Sequence, residues 1–337
     1  MHLKYKKKVK CSTFDGSINN LKLPPLKIGN LTARLPLIQG GMSVRISTAP
    51  LAAAVAREGG IGVIGGSGIP PEELYEEILK AKADAEGGIV AVNIMFVAQD
   101  YAELVEASIR AKADLIITGA GFSRDIYKIG KKAGIPIASI VSSAKFARLS
   151  EKMGADAIIV EGFEAGGHLG TDRPTLEIIQ EVLHVVSHTP VIAAGGISNG
   201  YEMTEYIKMG CAGVQMATRF VLSHECEASD EFKDALLRAK KEDVIVFDSP
   251  VGLPGHAVLN PYARKVLDKE TGKTSCSTSC MKQCNRSFCI LESLNRSQRG
   301  DVDNGILFSG SMVYKFNDIL PVKTIIQNLV KEAEEVE

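Results

Sequence analysis

Residues 161–170, Glu-Gly-Phe-Glu-Ala-Gly-Gly-His-Leu-Gly, combine the residue types of an active site. They follow an apolar run, residues 157–160, that predicts a buried strand. Gly166 and Gly167 allow the backbone to approach a flat ligand closely or to adopt a positive φ. His168 places an imidazole with an ordinary pKa near neutrality at the end of that strand. The pattern predicts an active-site histidine; a core histidine in a glycine turn is the alternative, and position alone does not separate the two.

Two further segments carry residues suited to binding phosphate. Gly195 and Gly196 follow the apolar run 191–194, and Thr218 ends the run 213–218. These runs are the predicted seventh and eighth strands. In barrel enzymes, backbone N–H groups after these two strands often bind phosphate. The segments therefore predict a phosphate site, with tight turns between strand and helix as the alternative.

Four cysteines fall within fourteen residues, with the spacing C-x₃-C-x₃-C-x₄-C: Cys276, Cys280, Cys284 and Cys289. Four thiolates suit an iron–sulfur cluster or a structural zinc ion, and Lys282 and Arg286 could offset the charge of a bound cluster. The C-x₂-C spacing of common zinc sites is absent. An iron–sulfur cluster, zinc, and free or redox-labile thiols all remain open. The total of seven cysteines argues against a disulfide framework.

The elements that would position these residues alternate between short apolar runs and amphipathic helical patterns, as in βα units. The predicted strands are 35–39, 61–64, 89–96, 115–118, 135–141, 157–160, 191–194 and 213–218. The predicted helices are 49–57, 71–83, 101–112, 123–132, 143–153, 176–186 and 203–209. Eight parallel βα units predict a closed (β/α)₈ TIM barrel, and an open doubly wound sheet is the rival.

The glycine-rich and polar residues cluster after the predicted strands, which in a barrel places them at one C-terminal mouth. After residue 222 the pattern changes to a charged helix at 227–241, a Pro/Gly loop containing His256, the cysteine segment and a helix at 322–335. We therefore predict a barrel over residues 1–222, after an N-terminal extension of about 30 residues, and a small helical cap over residues 223–337. His256 could reach the mouth from its loop.

Composition excludes several classes of partner. The 337 residues carry a formal net charge of -1, so nothing steers the chain toward nucleic acid. No apolar run approaches the roughly 18 residues of a membrane span. The lysine cluster within residues 4–10 is expected to be a solvated tail; no apolar segment follows it, so we expect a cytoplasmic protein without a secretory signal. No motif decides the oligomeric state, although the cap or the outer helices could support a homodimer.

Taken together, these motifs resemble the nitronate monooxygenase (2-nitropropane dioxygenase) and enoyl-ACP reductase II family of FMN-dependent flavoenzymes. The resemblance covers residues 35–220, and the motifs occur in the family's order. The matching segments are 36–42, 59–66, 92–95, 118–121, 161–168, 193–197 and 215–220, with weaker matches at 300–305 and 308–311. Any one of these motifs would be weak evidence. The glycine-histidine motif combined with the motifs of the seventh and eighth strands, 193–197 and 215–220, is specific.

The resemblance implies FMN at the barrel mouth and a substrate side faced by His168. It places the isoalloxazine against Gly41 and Met42 and puts Asn93 within hydrogen-bonding reach. The full set of cofactor-binding residues that it implies is Gly41, Met42, Asn93, Glu161, Gly166, Gly167, Gly195, Gly196, Gln215, Ala217 and Thr218. Within this set, the resemblance implies that the FMN phosphate is held by Gly195, Gly196, Ala217 and Thr218. Family members usually carry glycine in place of Ala217, and the cysteine quartet is outside the common pattern, which indicates a subgroup.

The resemblance also implies the chemistry. Oxidation of a small nitronate is the leading interpretation, with His168 as a base or as a hydrogen-bond donor to the substrate. NAD(P)H-dependent reduction of an enoyl-ACP or another enoyl thioester is the first alternative. A flavin and iron–sulfur electron-transfer module is the second, because of the cysteine quartet.

Overall fold

The computed structural model describes residues 23–276 and 279–336. Its first elements form a short antiparallel hairpin, β1 (Leu26–Ile28) and β2 (Leu31–Ala33). The lysine cluster lies outside the described residues. Leu26 and Ile28 are fully buried and belong to the same apolar cluster as inward-facing barrel residues such as Ile61 and Ile159. The hairpin thus closes the N-terminal end of the barrel with apolar side chains.

Eight parallel strands close into a barrel, which confirms the predicted (β/α)₈ fold. Neighbouring strands are hydrogen-bonded in chain order, and the last pairs with the first. The barrel strands are β3 (Leu37–Gln39), β4 (Ile61–Gly65), β5 (Ile89–Met95), β6 (Leu115–Gly119), β7 (Ile137–Val141), β8 (Ala157–Glu161), β10 (Val191–Ala194) and β11 (Gly213–Met216). A two-residue strand, β9 (Gly167–His168), follows β8 outside the barrel.

Helices between the strands form the outer layer. They are α1 (Ala49–Arg57), α2 (Pro71–Asp84), α3 (Tyr101–Arg110), α4 (Ile126–Ala133), α5 (Ala144–Met153), α6 (Thr175–Val185), α7 (Gly200–Met209) and α8 (Thr218–Val221). The end predicted for the eighth strand, Thr218, was wrong by two residues. Ala217 leaves the extended conformation (φ -116°, ψ -62°), so the strand ends at Met216 and Thr218 begins α8.

The segment after α8 is a mixed cap at the mouth rather than the helical cap expected from the sequence. Its elements are α9 (Asp230–Arg238), β12 (Val244–Asp248), β13 (Pro254–Val258), α10 (Pro261–Leu267), α11 (Ile290–Gln298) and β14 (Leu307–Phe308). The strands β12, β13 and β14 pair antiparallel, and β13 also pairs with β9. The cap is therefore joined by backbone hydrogen bonds to the loop that carries the glycine-histidine motif.

The final helix, α12 (Val322–Glu334), packs against the outer helices of the barrel although it follows the predicted domain boundary at residue 222. Its neighbours are α7 and α1, between which the eighth outer helix of a barrel would lie. Glu332 accepts a hydrogen bond from the backbone N–H of Gly200 at 2.7 Å, and a Cβ on Gly200 would lie 2.1 Å from the carbonyl oxygen of Leu329. Because α8 has only four residues, it cannot cover β11, and the chain returns after the cap to do so. Within the described ranges, no helix is both long and apolar enough to cross a membrane.

Candidate active site

One cavity lies at the C-terminal ends of the barrel strands, and the cap forms its outer wall. All of the cofactor-binding residues predicted from the sequence line it, together with His168: Gly41, Met42, Asn93, Glu161, Gly166, Gly167, Gly195, Gly196, Gln215, Ala217 and Thr218. They come from the ends of five barrel strands, β3, β5, β8, β10 and β11, or from the connections that follow them. The structure therefore brings the predicted set together, while the role of each residue stays a prediction. We call this cavity the chamber.

On one side of the chamber, Asn93 and Gly41 lie in contact. A Cβ on Gly41 would come within 2.5 Å of the Asn93 Cβ, so only glycine allows this approach. The Asn93 side-chain amide donates to the Gly41 carbonyl at 3.4 Å. Its oxygen, Oδ1, is buried and has no hydrogen-bond partner within the part of the chain that the structure describes. A buried amide oxygen without a partner at a cavity wall is a position for a ligand N–H, since leaving it unpaired costs about 1–3 kcal/mol.

The opposite side of the chamber is formed by Gly195 and Gly196, which both have positive φ, 97° and 79°. A Cβ on Gly195 would lie 2.9 Å from the backbone nitrogen of Ala165, and one on Gly196 would lie 3.0 Å from Glu164 Cβ. The Glu164 carboxylate accepts from the N–H and the hydroxyl of Thr175, each at 2.8 Å. These contacts hold the two glycines against the loop of the glycine-histidine motif and leave their backbone at the cavity surface.

Thr218 lies beside this glycine pair, and its hydroxyl accepts a hydrogen bond from the Gly310 N–H at 3.0 Å. Because a hydroxyl can accept and donate at once, its own proton remains available to a ligand oxygen. Gly310 belongs to the segment after β14, which also crosses Gly166; a Cβ there would lie 2.7 Å from the Gly310 nitrogen. The weak sequence match at 308–311 therefore forms part of the chamber.

His168 is held by contacts with the cap. It pairs with Gly255 in the β9–β13 ladder, and its Nε2 lies 2.8 Å from the hydroxyl of Ser249, with the donor set by the tautomer. Its ring packs edge-on against Phe308, with centroids 5.1 Å apart. Desolvation lowers the pKa of His168 to about 4, so the imidazole is neutral at pH 7. A neutral, oriented imidazole can accept a proton or donate an N–H hydrogen bond.

Glu161, at the end of β8, is the second titratable group on the chamber wall with a large shift. Desolvation raises its pKa from 4.5 to about 7, because burial disfavours the charged carboxylate. At neutral pH the carboxyl group is therefore divided between its protonated and ionised forms. It can donate a hydrogen bond to a ligand in one form and accept one in the other.

The shift at Glu161 makes stability depend on pH with a definite sign. The folded state holds the proton more tightly than the unfolded state, so this contribution is complete below pH 4.5 and is lost as the pH rises through about 7. We expect Glu161→Gln to become more stable relative to the unsubstituted protein across that window, by up to about 3 kcal/mol. Thermal unfolding of the cofactor-free proteins at several pH values measures the difference. An exposed control, Glu242→Gln, should show no such trend, and a pH-independent difference for Glu161→Gln would contradict the raised pKa.

The outer part of the chamber is apolar. It is lined by side chains from the cap and the C-terminal segment: Met281, Ile290, Leu291, Leu294, Phe308, Met312, Val313 and Phe316. Among the described residues that line the chamber, none is lysine or arginine. The geometry therefore offers neutral hydrogen-bonding groups deep in the chamber and an apolar channel above them.

Sequence reasoning missed Ser249 and the apolar residues that the cap contributes. A serine in a Pro/Gly loop 81 residues after His168 carries no local signal, because its role arises from the β12–β13 turn. His256, which we expected to be able to reach the mouth, does not line the chamber; it is buried and donates from Nδ1 to the Ala165 carbonyl at 2.8 Å. His256 therefore stabilises the loop of the glycine-histidine motif through Ala165, from outside the chamber.

The residues present fit FMN. Asn93 Oδ1 is a buried acceptor without a partner for a ring N–H, and the backbone of Gly195 and Gly196 with the Thr218 hydroxyl provides donors for a phosphate. Gly41 and Met42 provide a surface of low polarity beside Asn93. Ala217 lines the chamber as well, and its backbone N–H survives the exchange from glycine.

Comparison with known proteins agrees with the architecture. The family model described as nitronate monooxygenase matches residues 25–104 and 81–332. A Mycobacterium tuberculosis protein named (3aS,4S,5R,7aS)-5-hydroxy-7a-methyl-1-oxo-octahydro-1H-indene-4-carboxyl-CoA dehydrogenase is 34% identical over 226 residues, which cover 66% of this chain and 62% of that protein. A Staphylococcus aureus protein named probable nitronate monooxygenase is 29% identical over 286 residues, 71% of this chain and 79% of that one.

Among solved structures, FabK from Thermotoga maritima superposes with a TM-score of 0.81 at 32% identity and covers 89% of this chain and 93% of its own. The match to FabK therefore includes most of the cap as well as the barrel. The chain spans 62% of the length of the carboxyl-CoA dehydrogenases of Mycobacterium tuberculosis and Rhodococcus jostii that it matches.

Proposed function

Because the chain belongs to the nitronate monooxygenase family, we propose that it is an FMN-dependent oxidoreductase that uses NAD(P)H to reduce the carbon–carbon double bond of an enoyl thioester. The observation that carries this choice is the character of the chamber. Its outer part is an apolar channel, and the described residues that line it include no lysine or arginine. Such a channel suits a neutral acyl chain better than a small anion, whose desolvation would need a paired charge.

FMN would be held by Asn93, Gly41 and Met42 at its ring system and by Gly195, Gly196, Ala217 and Thr218 at its phosphate. Bound FMN supplies the chemistry of hydride transfer, which side chains alone do not perform. Glu161, Gln215, Gly166 and Gly167 complete the wall around it. The cap segment between α11 and α12 contributes Phe308, Met312 and Val313 to the chamber lining and would exclude water from its inner part.

In this proposal His168 acts on the substrate. Its neutral imidazole, held by Ser249 and Phe308, would donate an N–H hydrogen bond to the thioester carbonyl and polarise it. The residues Met281, Leu291 and Phe316 would contact the acyl chain. The relatives support a thioester substrate, since one is named a carboxyl-CoA dehydrogenase and another is FabK, the enoyl-ACP reductase II.

Anaerobic visible spectroscopy tests the proposal. We expect NADH or NADPH to bleach the flavin bands and a trans-2-enoyl thioester, added next without oxygen, to restore them. The matched control is the saturated thioester of the same chain length, which cannot accept a hydride and should leave the bands bleached. Failure of both nucleotides to bleach the flavin would overturn the reductase proposal.

Nitronate oxidation is the second candidate, favoured by the neutral imidazole of His168 on the chamber wall and by the name of the Staphylococcus aureus relative. Here His168 would donate an N–H hydrogen bond to the nitronate or act as a base. The same cuvette distinguishes the two candidates. Flavin bands that persist with both nucleotides but bleach on addition of a propyl nitronate would support this candidate over the first.

A further inference from the structure

The four cysteines of residues 276–289 surround a second cavity, next to the chamber. Its volume is ≈ 390 Å³, within the range of about 300–1,000 Å³ typical of ligand sites. Its lining includes Lys282 and Arg286 and, among the described residues, no aspartate or glutamate. The members of the thiol set are Cys276, Cys280, Cys284 and Cys289. We call this cavity the thiol pocket.

The backbone holds the thiols around this pocket although the segment has little regular structure between α10 and α11. Its middle is anchored to the loop after β5, because the Gln99 N–H donates to the Cys280 carbonyl at 3.0 Å and the Lys282 N–H donates to the Val97 carbonyl at 2.9 Å. Its end is anchored at Cys289, which caps the N-terminus of α11. Between these anchors the Asn285 N–H donates to the Pro250 carbonyl at 2.8 Å, so the segment is held along its length.

We propose that these four cysteines ligate an iron–sulfur cluster in the thiol pocket. Four thiolates are the ligand set of cubane clusters, and Lys282 and Arg286 would offset the net negative charge of the ligated cluster. This placement depends on the chain's own residues and stands whichever substrate the chamber takes.

A single zinc ion is the alternative occupant of the thiol pocket. A tetrahedral zinc ion with bonds of about 2.3 Å needs its four sulfurs within ~4 Å of one another. Among the described residues, no group of three or more His, Cys, Asp or Glu side chains is placed to hold one ion. Four thiols that line one cavity match the ligand number of a polynuclear cluster, which would bind each sulfur at a corner.

The thiol pocket and the chamber share two lining residues, Met281 and Ile290. Met281 directly follows the proposed ligand Cys280, and Ile290 directly follows Cys289. A cluster would therefore lie at the rim of the chamber and would fix part of its wall. The chamber and the thiol pocket are therefore adjacent in space. The four cysteines line only the thiol pocket.

Iron and acid-labile sulfide analysis of the protein prepared without oxygen tests the proposal. We expect about four of each per chain and an electron paramagnetic resonance signal after reduction. Cys280→Ala and Cys284→Ala should lose most of the iron and sulfide. The matched control, Cys211→Ala, removes a buried thiol of the barrel and should keep both.

FMN released from each variant and measured by fluorescence shows whether the barrel is still folded. Stoichiometric zinc in place of iron would overturn the proposal. So would the absence of iron and sulfide, in protein that retains FMN, after anaerobic incubation with ferrous iron and sulfide. Retention of the full iron content by Cys280→Ala and Cys284→Ala would show that other groups bind the iron, and would also overturn the proposal.

Discussion

His168→Ala should lower turnover by about 10²–10⁴-fold while FMN content stays unchanged, because the imidazole is proposed to contact the substrate and its loss would remove one acid–base or hydrogen-bonding group. The geometry behind this expectation is the position of His168 on the chamber wall, with a ring held by Ser249 and Phe308 and a pKa of about 4 that keeps it neutral. Steady-state kinetics on an enoyl thioester, with FMN released and measured by fluorescence, checks both parts. Full turnover in a variant that retains FMN would remove His168 from the mechanism.

Ser249→Ala is the companion to this variant. Ser249 does not line the chamber, but its hydroxyl lies 2.8 Å from His168 Nε2 and orients the ring. We expect a loss of about tenfold, smaller than for His168→Ala, with a displaced pH profile for turnover. Ser249→Thr should restore most of the activity because it keeps the hydroxyl. A Ser249→Ala profile that matches the unsubstituted protein would mean that the hydrogen bond does not position His168 for catalysis.

Gly195→Ala should weaken FMN binding by about 100-fold or more, equivalent to roughly 3 kcal/mol, because it moves the backbone that is proposed to hold the phosphate. Gly195 has a φ of 97°, and the added Cβ would lie 2.9 Å from the Ala165 backbone nitrogen. Because the new Cβ would meet backbone and not the end of a flexible side chain, the Gly195 loop and the loop that contains Ala165 must move apart. Titration of the cofactor-free variant with FMN, followed by fluorescence quenching, measures the effect.

Gly154→Ala is the matched control, because Gly154 has nearly the same φ, 92°, but a Cβ there meets nothing within 4 Å. Gly154 ends α5, away from the chamber. We expect it to lose about 1 kcal/mol of stability from backbone strain and to bind FMN as tightly as the unsubstituted protein. Equal FMN affinity in the two glycine variants would show that the Gly195 loop does not contact the cofactor.

Much of the candidate site was predictable because its signals are local in the chain. Gly195 and Gly196 follow β10 directly, and the glycine-histidine motif follows β8, so a strand pattern plus glycine chemistry places them at the mouth. The same reasoning put Thr218 at the wrong element, since the turn at Ala217 depends on contacts beyond the strand. It also could not reveal Ser249, because the two partners of the hydrogen bond lie 81 residues apart.

By itself the sequence determined the barrel and the residues of its mouth, because hydrophobic periodicity and glycine placement act over a few residues and repeat in every βα unit. Tertiary structure alone decided three things. It returned α12 to the wall beside Gly200, it set the neutral state of His168 and the raised pKa of Glu161 through desolvation, and it placed the thiol pocket beside the chamber. Each of these depends on contacts between segments distant in the chain, and no short-range pattern encodes which distant segment will supply the contact.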